Sequence, residues 1–515
     1  MNSLWARALG ALSLLFLFAP APARAEWLRA ESPNFILYGN SSESALRARI
    51  LLLEDYDRLL RLIVAVRAPP APNKLHVYIV SGLDDLQLLR PVTADVAGLY
   101  TATPDGIAAF VDGRAQMGDN EILFHEYAHH FMLQHAPNPY PAWYVEGFAE
   151  YFMTARFTPR QIDVGKASPS RVYSIMQSEW LPFERILSGG TQGLSRDQRS
   201  TYYAQAWLLT HYFYNTPDRQ AGLGRLLAAL RGGQPREALQ SAVGLTPEAL
   251  TVELRRYIRG GRITFRRMTR TGAEAPPPVT VTAMPRSADD LILFEAVLRI
   301  GIIEANEQPY LQRIRTAAAR HPDDPLAMRV LAHAELLYGD GAAADRLLDR
   351  LLAATPNNAD LMYLKGMRHL VAAQSDDPPE GAAREARQWF SRAHRADANH
   401  FQTLYRYAQS LRGERNYVSE NTSNVLVLAH QLAPQVSAIT MNAAAMMLNR
   451  GEFEQAAALL RPLAVDPHDA GLARAAQQLL EQAQARARPG SPPPPAARPA
   501  GEPGEPAQER PRPPS

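Results

Sequence analysis

The chain has 515 residues, 46% of them hydrophobic and 21% charged, and a formal net charge of +2. Its length exceeds what one hydrophobic core supports, so two or three folded units are expected, and the near-neutral balance excludes the strong basic field of a nucleic-acid binder. It has no cysteine, which excludes disulfides, a thiol nucleophile, a Cys-ligated zinc ribbon and a lipidated cysteine anchor.

Residues 1–25 read as a secretory signal. Arg7 supplies the positive start, Ala8 to Phe18 the apolar stretch, and Ala23-Arg24-Ala25 the small-x-small cleavage site, so the mature chain is expected to begin at Glu26. That stretch is too short to span a bilayer and no later segment is apolar enough, so no membrane span is expected after cleavage. A periplasmic or secreted location follows as an expectation.

Residues 27–112 read as mixed α/β. Phe35-Ile36-Leu37-Tyr38 is a short strand, and apolar residues at helical spacing fill 43–66, ahead of Pro69-Pro70. Leu75-His76-Val77-Tyr78-Ile79-Val80 alternates and is β-branched, so it is a strand. Leu99-Tyr100 and Ile107 to Val111 flank Pro104-Asp105-Gly106, the signature of a hairpin. Asp119 or Asn120 can cap the next helix, and Pro141 suits the first turn of the one after it. Residues 158–200 have weak periodicity and form either a flap or a long surface connection. Helical pattern returns at 201–215 and continues to about Arg259. Residues 263–286, with Pro276-Pro277-Pro278, read as a linker that closes a first unit of 26–262.

Beyond the linker, residues 287–486 are helical and alanine-rich. His321-Pro322 and Thr355-Pro356 stand 34 residues apart, with Leu331-Ala332, Gly339 and Ala344 between them; a later unit places Gly451-Glu452-Phe453 at a turn and closes at Asp466-Pro467. Over roughly 290–485 this resembles the tetratricopeptide family, whose period is 34 residues. The resemblance implies stacked helical hairpins with a concave surface for a protein partner. Residues 487–515 form a tail; from Pro489 onward it has 11 prolines in 27 residues, too few apolar side chains for a core, and is expected to be disordered.

The chemistry is carried by His125-Glu126-Tyr127-Ala128-His129, an H-E-x-x-H. Two histidines four apart lie on one helical face and reach one metal, while the glutamate between them points elsewhere and can take a proton from water. Sixteen residues lie between His129 and Glu146, enough for a turn and a returning helix. Glu146 and Glu150 share a face of that helix. They are either a solvated face or, interleaved with Trp143, Phe148, Ala149 and Phe152, buried acids that need a cation or an imidazole partner. His130 reads as packing or polar surface, His135 as too far along the helix to share the metal, His76 as a strand residue without a metal partner, and His211 as core.

With Glu146-Gly147-Phe148-Ala149 following the H-E-x-x-H, residues 27–260 resemble the gluzincin pattern, including the E-G-F-A of its aminopeptidase branch. They are most similar to the peptidase-MA-like family of exported bacterial zinc peptidases. The resemblance implies an α+β zincin-like metallopeptidase domain ahead of the all-α helical-repeat domain. His125, His129 and Glu146 would be Zn2+ ligands, Glu126 general base then general acid, and Glu150 an acid behind a ligating histidine, with Glu150 as ligand in place of Glu146 the alternative. Tyr203, in Tyr203-Ala204-Gln205-Ala206-Trp207, resembles the tyrosine that stabilises the tetrahedral intermediate but lacks the adjoining Lys-Gly; packing between helices is the alternative, and Tyr202 is a lesser candidate. No G-A-M-E-N-like segment is present, so an exopeptidase is not expected. The last strand before the H-E-x-x-H helix is expected to pair an extended peptide. The implied function is an exported zinc-dependent peptidase acting on a peptide or protein substrate. Its alternative is a periplasmic scaffold whose repeats bind partners while the metal domain is structural or inactive.

Overall fold

The computed structural model describes residues 27–487, apart from 93–95, 97, 115–118, 232, 261–262 and 271–274. The expected signal at 1–25, and the expected tail from 488 onward, lie outside the described residues.

In chain order the first part comprises β1 (Leu28–Glu31), β2 (Phe35–Gly39), α1 (Glu43–Val64), β3 (Leu75–Val80), α2 (Leu83–Leu89), β4 (Gly98–Thr103) and β5 (Gly106–Asp112). It continues through α3 (Asp119–His135), α4 (Ala142–Phe152), β6 (Arg156–Phe157), β7 (Gln161–Val164), α5 (Pro169–Gln177), α6 (Phe183–Ser188) and α7 (Arg196–Tyr214). Helices α8 (Pro217–Ala229), α9 (Pro235–Val243) and α10 (Pro247–Arg259) and strands β8 (Arg266–Thr269) and β9 (Thr280–Ala283) complete it. Ser42 caps α1, accepting from Ala45 N at 3.2 Å. Helix α3 begins at Asp119, so its capping residue lies outside the described residues, and Pro141 is the N-cap of α4 rather than a residue of its first turn.

The six-stranded sheet runs β4-β5-β3-β2-β1-β9, with β2, β3 and β5 mutually parallel and the other pairings antiparallel. Three expectations need correction. The strand just before α3 is β5, which lies between β4 and β3 and has no open edge. The turn at Pro104-Asp105-Gly106 folds the chain back, so β4 is the edge strand. Residues 263–286 are not a bare linker, because β8 joins a small sheet with β6 and β7, and β9 pairs with β1. Val279-Thr280-Val281-Thr282 has β-branched residues that suit a strand, but its partner precedes it by about 250 residues. The stretch 158–200 is neither bare flap nor bare connection: it contains β7, α5 and α6.

Alternation along the strands sends apolar side chains to both faces of the sheet. Phe35, Leu37, Val77, Ala109 and Val111 pack with α1 and α3, whereas Ile36, Tyr38, Tyr78, Val80, Ala108 and Phe110 pack with the helices that follow β9. The second face therefore requires the carboxyl-terminal half of the chain as its cover. That half contains α11 (Ala288–Ile300), α12 (Glu307–Ala318), α13 (Pro325–Tyr338), α14 (Gly341–Ala354), α15 (Ala359–Ala373) and α16 (Ala382–Ala396). It ends with α17 (Phe401–Gln409), α18 (Glu420–Leu432), α19 (Ser437–Asn449), α20 (Phe453–Leu463) and α21 (Ala470–Ala487). These are stacked helical hairpins: α13 pairs with α14, α15 with α16, α17 with α18, and α19 with α20. Helices α13 and α15 start 34 residues apart, at Pro325 and Ala359, matching the sequence period. Close pairing needs small residues; a Cβ on Gly366 would lie 2.4 Å from Phe390 Cε1.

The first half of the chain packs directly against these helices. Tyr310 donates to Leu88 O at 2.9 Å, and Asn73 Nδ2 donates to Leu432 O at 3.1 Å. At the β4–β5 turn, Asp105 accepts from Tyr363 at 2.6 Å and from Arg406 at 2.6 and 2.8 Å. The hairpin that carries the sheet edge is thus anchored to the repeats by a partly buried ion pair. Replacing Arg406 with alanine leaves Asp105 with one donor, and a cost of about 1–3 kcal/mol is expected, below the range for a fully buried pair. The midpoint of urea unfolding measures it; an unchanged midpoint would mean that the anchor contributes nothing.

Candidate metal site

Helix α3 is fixed by one face. Leu123, Phe124, Tyr127, Ala128 and Phe131 are buried in the core, Tyr56 stacks on Phe124 at 4.0 Å, and Tyr127 donates to Asp57 Oδ1 at 2.7 Å. The opposing stripe, which holds His125 and His129 one turn apart, consequently faces α4. Helix α4 is buried nearly all round, and it carries Glu146 and Glu150 at 2% and 1% exposure.

Gly147 sets the depth of α4. A Cβ there would lie 2.1 Å from Thr210 Oγ1 and 2.5 Å from Ala206 O, so only glycine lets α4 rest directly on α7. That close approach positions Glu146 beneath the two histidines.

His125 Nε2 and His129 Nε2 are 3.1 Å apart, and Glu146 Oε2 is 3.7 Å from the first and 3.6 Å from the second. Among the described residues, these three are the group of histidine and acidic donors gathered tightly enough to hold one ion. Ligands at about 2.0–2.1 Å from a tetrahedral zinc stand about 3.3–3.4 Å from one another, so the spacing fits that ion. Glu146 Oε2 is buried with no hydrogen-bond partner among the described residues. A buried carboxylate oxygen without a donor is costly, and a cation in the gap would satisfy it.

The electrostatics follow the same geometry. Burial, aided by His129, holds His125 down at about 3, which keeps its imidazole in the neutral, ligating form. Burial also pulls His129 down, but Glu146, with Glu126 and Glu150, outweighs it and raises that histidine. Burial favours a protonated Glu146, yet His129 and His468 draw its carboxyl down to about 2. Burial pushes Glu126 up to about 7, with His129 opposing and Glu146 adding.

Glu150 does not join the three donors. Its carboxylate grips Arg171 of α5 through two bonds of 2.7 and 2.6 Å, and Oε1 stands 3.7 Å from His125 Nδ1, on the side of that ring away from Glu146. It stands on the Nδ1 side of His125 and outside the group of three donors. His129 Nδ1 has no such neighbour and is buried without a partner among the described residues.

A cleft of about 470 Å3 opens beside the cluster. Glu126 and His129 line it from α3, Tyr100, Thr101 and Ala102 from β4, and Gln435 and His468 from the repeats. Tyr203 is not among the residues lining this cleft. Its ring lies 5.5 Å from the Arg171 guanidinium, and burial, with Glu146 and Glu150 adding, raises its phenol. Tyr202 donates to Gly189 O at 2.8 Å and is not among the residues lining the cleft. His211 is core, between Tyr257 Oη at 2.8 Å and Gly165 O at 3.0 Å. His130 is buried beside Tyr100 Oη at 3.1 Å, His135 meets Arg61 at 3.1 Å, and His76 meets Tyr38 Oη at 3.3 Å.

Two residues of the site escaped the sequence reading. Arg171 lies in the stretch without clear periodicity, where a single basic residue carries no signal. His468 follows Asp466-Pro467 at a turn between repeat helices, more than 300 residues from the motif it approaches.

No protein-family model and no curated protein matches the chain. Among solved structures, it is similar to TTC0263, a thermophilic TPR protein of Thermus thermophilus, at 18% identity and a TM-score of 0.32, covering 38% of this chain and 99% of that one. It is also similar to yeast Tom70, at 12% identity and a TM-score of 0.31, covering 72% of this chain and 76% of that one.

Two substitutions test the site's construction. Gly147→Ala overpacks the α4–α7 contact and should cost about 1–3 kcal/mol, with weaker zinc binding because Glu146 is lifted with its helix; unaltered thermal stability would refute the close-contact account. Glu150→Gln keeps the shape but weakens the hold on Arg171 and the field behind His125. A loss of roughly 10–100-fold in zinc affinity is expected by competition with a chromogenic chelator, and equal affinity would remove Glu150 from the site.

Proposed function

We propose that the chain is a zinc-dependent hydrolase of peptide bonds, a zincin-like peptidase of the gluzincin type whose helical repeats form one wall of its cleft. The observation that carries this reading is the buried group of two imidazoles and one orphaned carboxylate oxygen, beside a cleft that Glu126 also lines. His125, His129 and Glu146 would hold the ion. A zinc held there supplies a Lewis acid that polarises a carbonyl and acidifies water. Glu126 takes the proton from the attacking water and returns it to the leaving nitrogen, a role open to a carboxylate that lines the cleft beside the donors.

A peptide is favoured as substrate by β4. It is an edge strand, and three consecutive residues of it line the cleft. Edge strands offer unpaired N–H and C=O groups, which the backbone of an extended peptide complements. Export to a periplasmic or extracellular location belongs to the same proposal and rests on residues 1–25.

The helical repeats favour a second reading, a scaffold that binds a protein partner with the metal domain structural or inactive. On that reading the partner meets a repeat surface that is not packed against the first half. Glu126 argues against it, since a purely structural zinc site has no use for a base beside the cleft.

The mature chain should contain about one zinc per molecule, and His129→Ala should lose it. Glu126→Gln should retain the metal and lose hydrolysis of a peptide library by roughly 10²–10⁴-fold, read by mass spectrometry. Wild type and Glu126→Gln giving identical digests on every library would leave the scaffold reading in place.

A further inference from the structure

The turn between α20 and α21 is built to hold one side chain. Asp466 Oδ1 accepts from His468 N at 2.7 Å and from Asp469 N at 3.1 Å, and Asp469 Oδ1 accepts from Leu472 N at 2.9 Å as α21 begins. From the opposite side, Gln192 Nε2 donates to Pro467 O at 3.0 Å, tying the turn to the first half of the chain. Between these ties, His468 projects into the cleft. Its Nε2 stands 3.5 Å from Glu146 Oε1, and its ring meets that of His129 at 5.1 Å between centroids and 78° between planes.

The two oxygens of Glu146 are thereby divided. Oε2 faces His125 and His129, while Oε1 faces His468. A third imidazole nitrogen thus adjoins the carboxylate that is common to the cluster. Its side chain remains 54% exposed, so it is free to rotate on a fixed turn, whereas the other three donors are largely enclosed. Zinc takes four protein ligands where a site is closed, and three where one position is left for chemistry.

We propose that His468, which stands just outside the group of three donors and meets only the far oxygen of Glu146, swings in on its exposed side chain as a fourth protein donor to the metal, contributed by the helical repeats, so that substrate competes with it for the fourth position. This rests on the zinc reading above. The repeats then have a role beyond covering the sheet: they place a removable ligand over the reacting position. Rotation of the exposed side chain, on a turn that stays fixed, would open it.

The mature full-length chain, loaded with zinc, should show three imidazoles by X-ray absorption, and His468→Ala should show two. Loss of a supporting group behind a ligand costs roughly 10–100-fold in metal affinity, so loss of the donor itself should cost at least tenfold against a chelator. Gln192→Ala, which frees the turn without touching the imidazole, should weaken affinity in the same direction by less. Cobalt-substituted protein should change its visible spectrum on His468→Ala, and hydrolysis should rise as the fourth position opens. Two imidazoles in both proteins with equal chelator competition would overturn the proposal. So would unchanged affinity with lower hydrolysis, which makes His468 a substrate contact. A chain that takes up no zinc, or whose His129→Ala variant keeps its zinc, refutes the metal reading itself, a result separable from both.

Discussion

A carboxylate sits where water does not reach, and one of its oxygens has no donor among the described residues. Glu146 is 2% exposed, and its Oε2 faces two imidazole nitrogens at 3.6 and 3.7 Å. Burying a charge without compensation is among the least favourable arrangements in a folded chain. The surrounding helices nevertheless enforce it. α3 is pinned by its aromatic face, and α4 is drawn down onto α7 by a glycine with no room for a methyl group. Close packing thus holds an orphaned acid beneath two histidines, and the proposed cation site rests on that arrangement.

The second constraint is the two-faced sheet. With β2 and β5 apolar on both sides, the sheet would expose a hydrophobic face if the chain ended after β9. Helices α11 to α13 cover it, and later repeats reach the β4–β5 turn and the cleft. Repeats and sheet therefore share cores and are not beads on a string. This arrangement ties position to chemistry: the same carboxyl-terminal half that buries the sheet also brings Gln435 and His468 to the cleft that β4 lines.

Much of the site was legible because its signals are local. Spacing of four along a helix brings His125 and His129 together, and the return helix after Pro141 brings Glu146 within reach. The hairpin at Pro104-Asp105-Gly106 and the strand at residues 75–80 were readable from turn chemistry and alternation. The linker reading failed for a physical reason. Four-residue strands with few apolar side chains are stabilised by partners distant in sequence, and the neighbouring prolines hid the β-branched run. Continuous apolar runs in β2 and β5 are the pattern of strands buried on both faces, a signal the reading of them as a short strand and a hairpin arm did not use.

What the sequence determined by itself was the identity of the chemical groups and their grouping along single helices, since helical period is a property of the local backbone. It also determined the repeat period, because each hairpin is stabilised chiefly by its neighbours. Only the tertiary structure decided which strand is the edge, that Glu150 pairs with Arg171, that Gly147 is a contact point, and that His468 looks onto the cluster. Those relations join segments separated by tens to hundreds of residues. They arise from packing whole faces against one another, which no local pattern in the chain encodes.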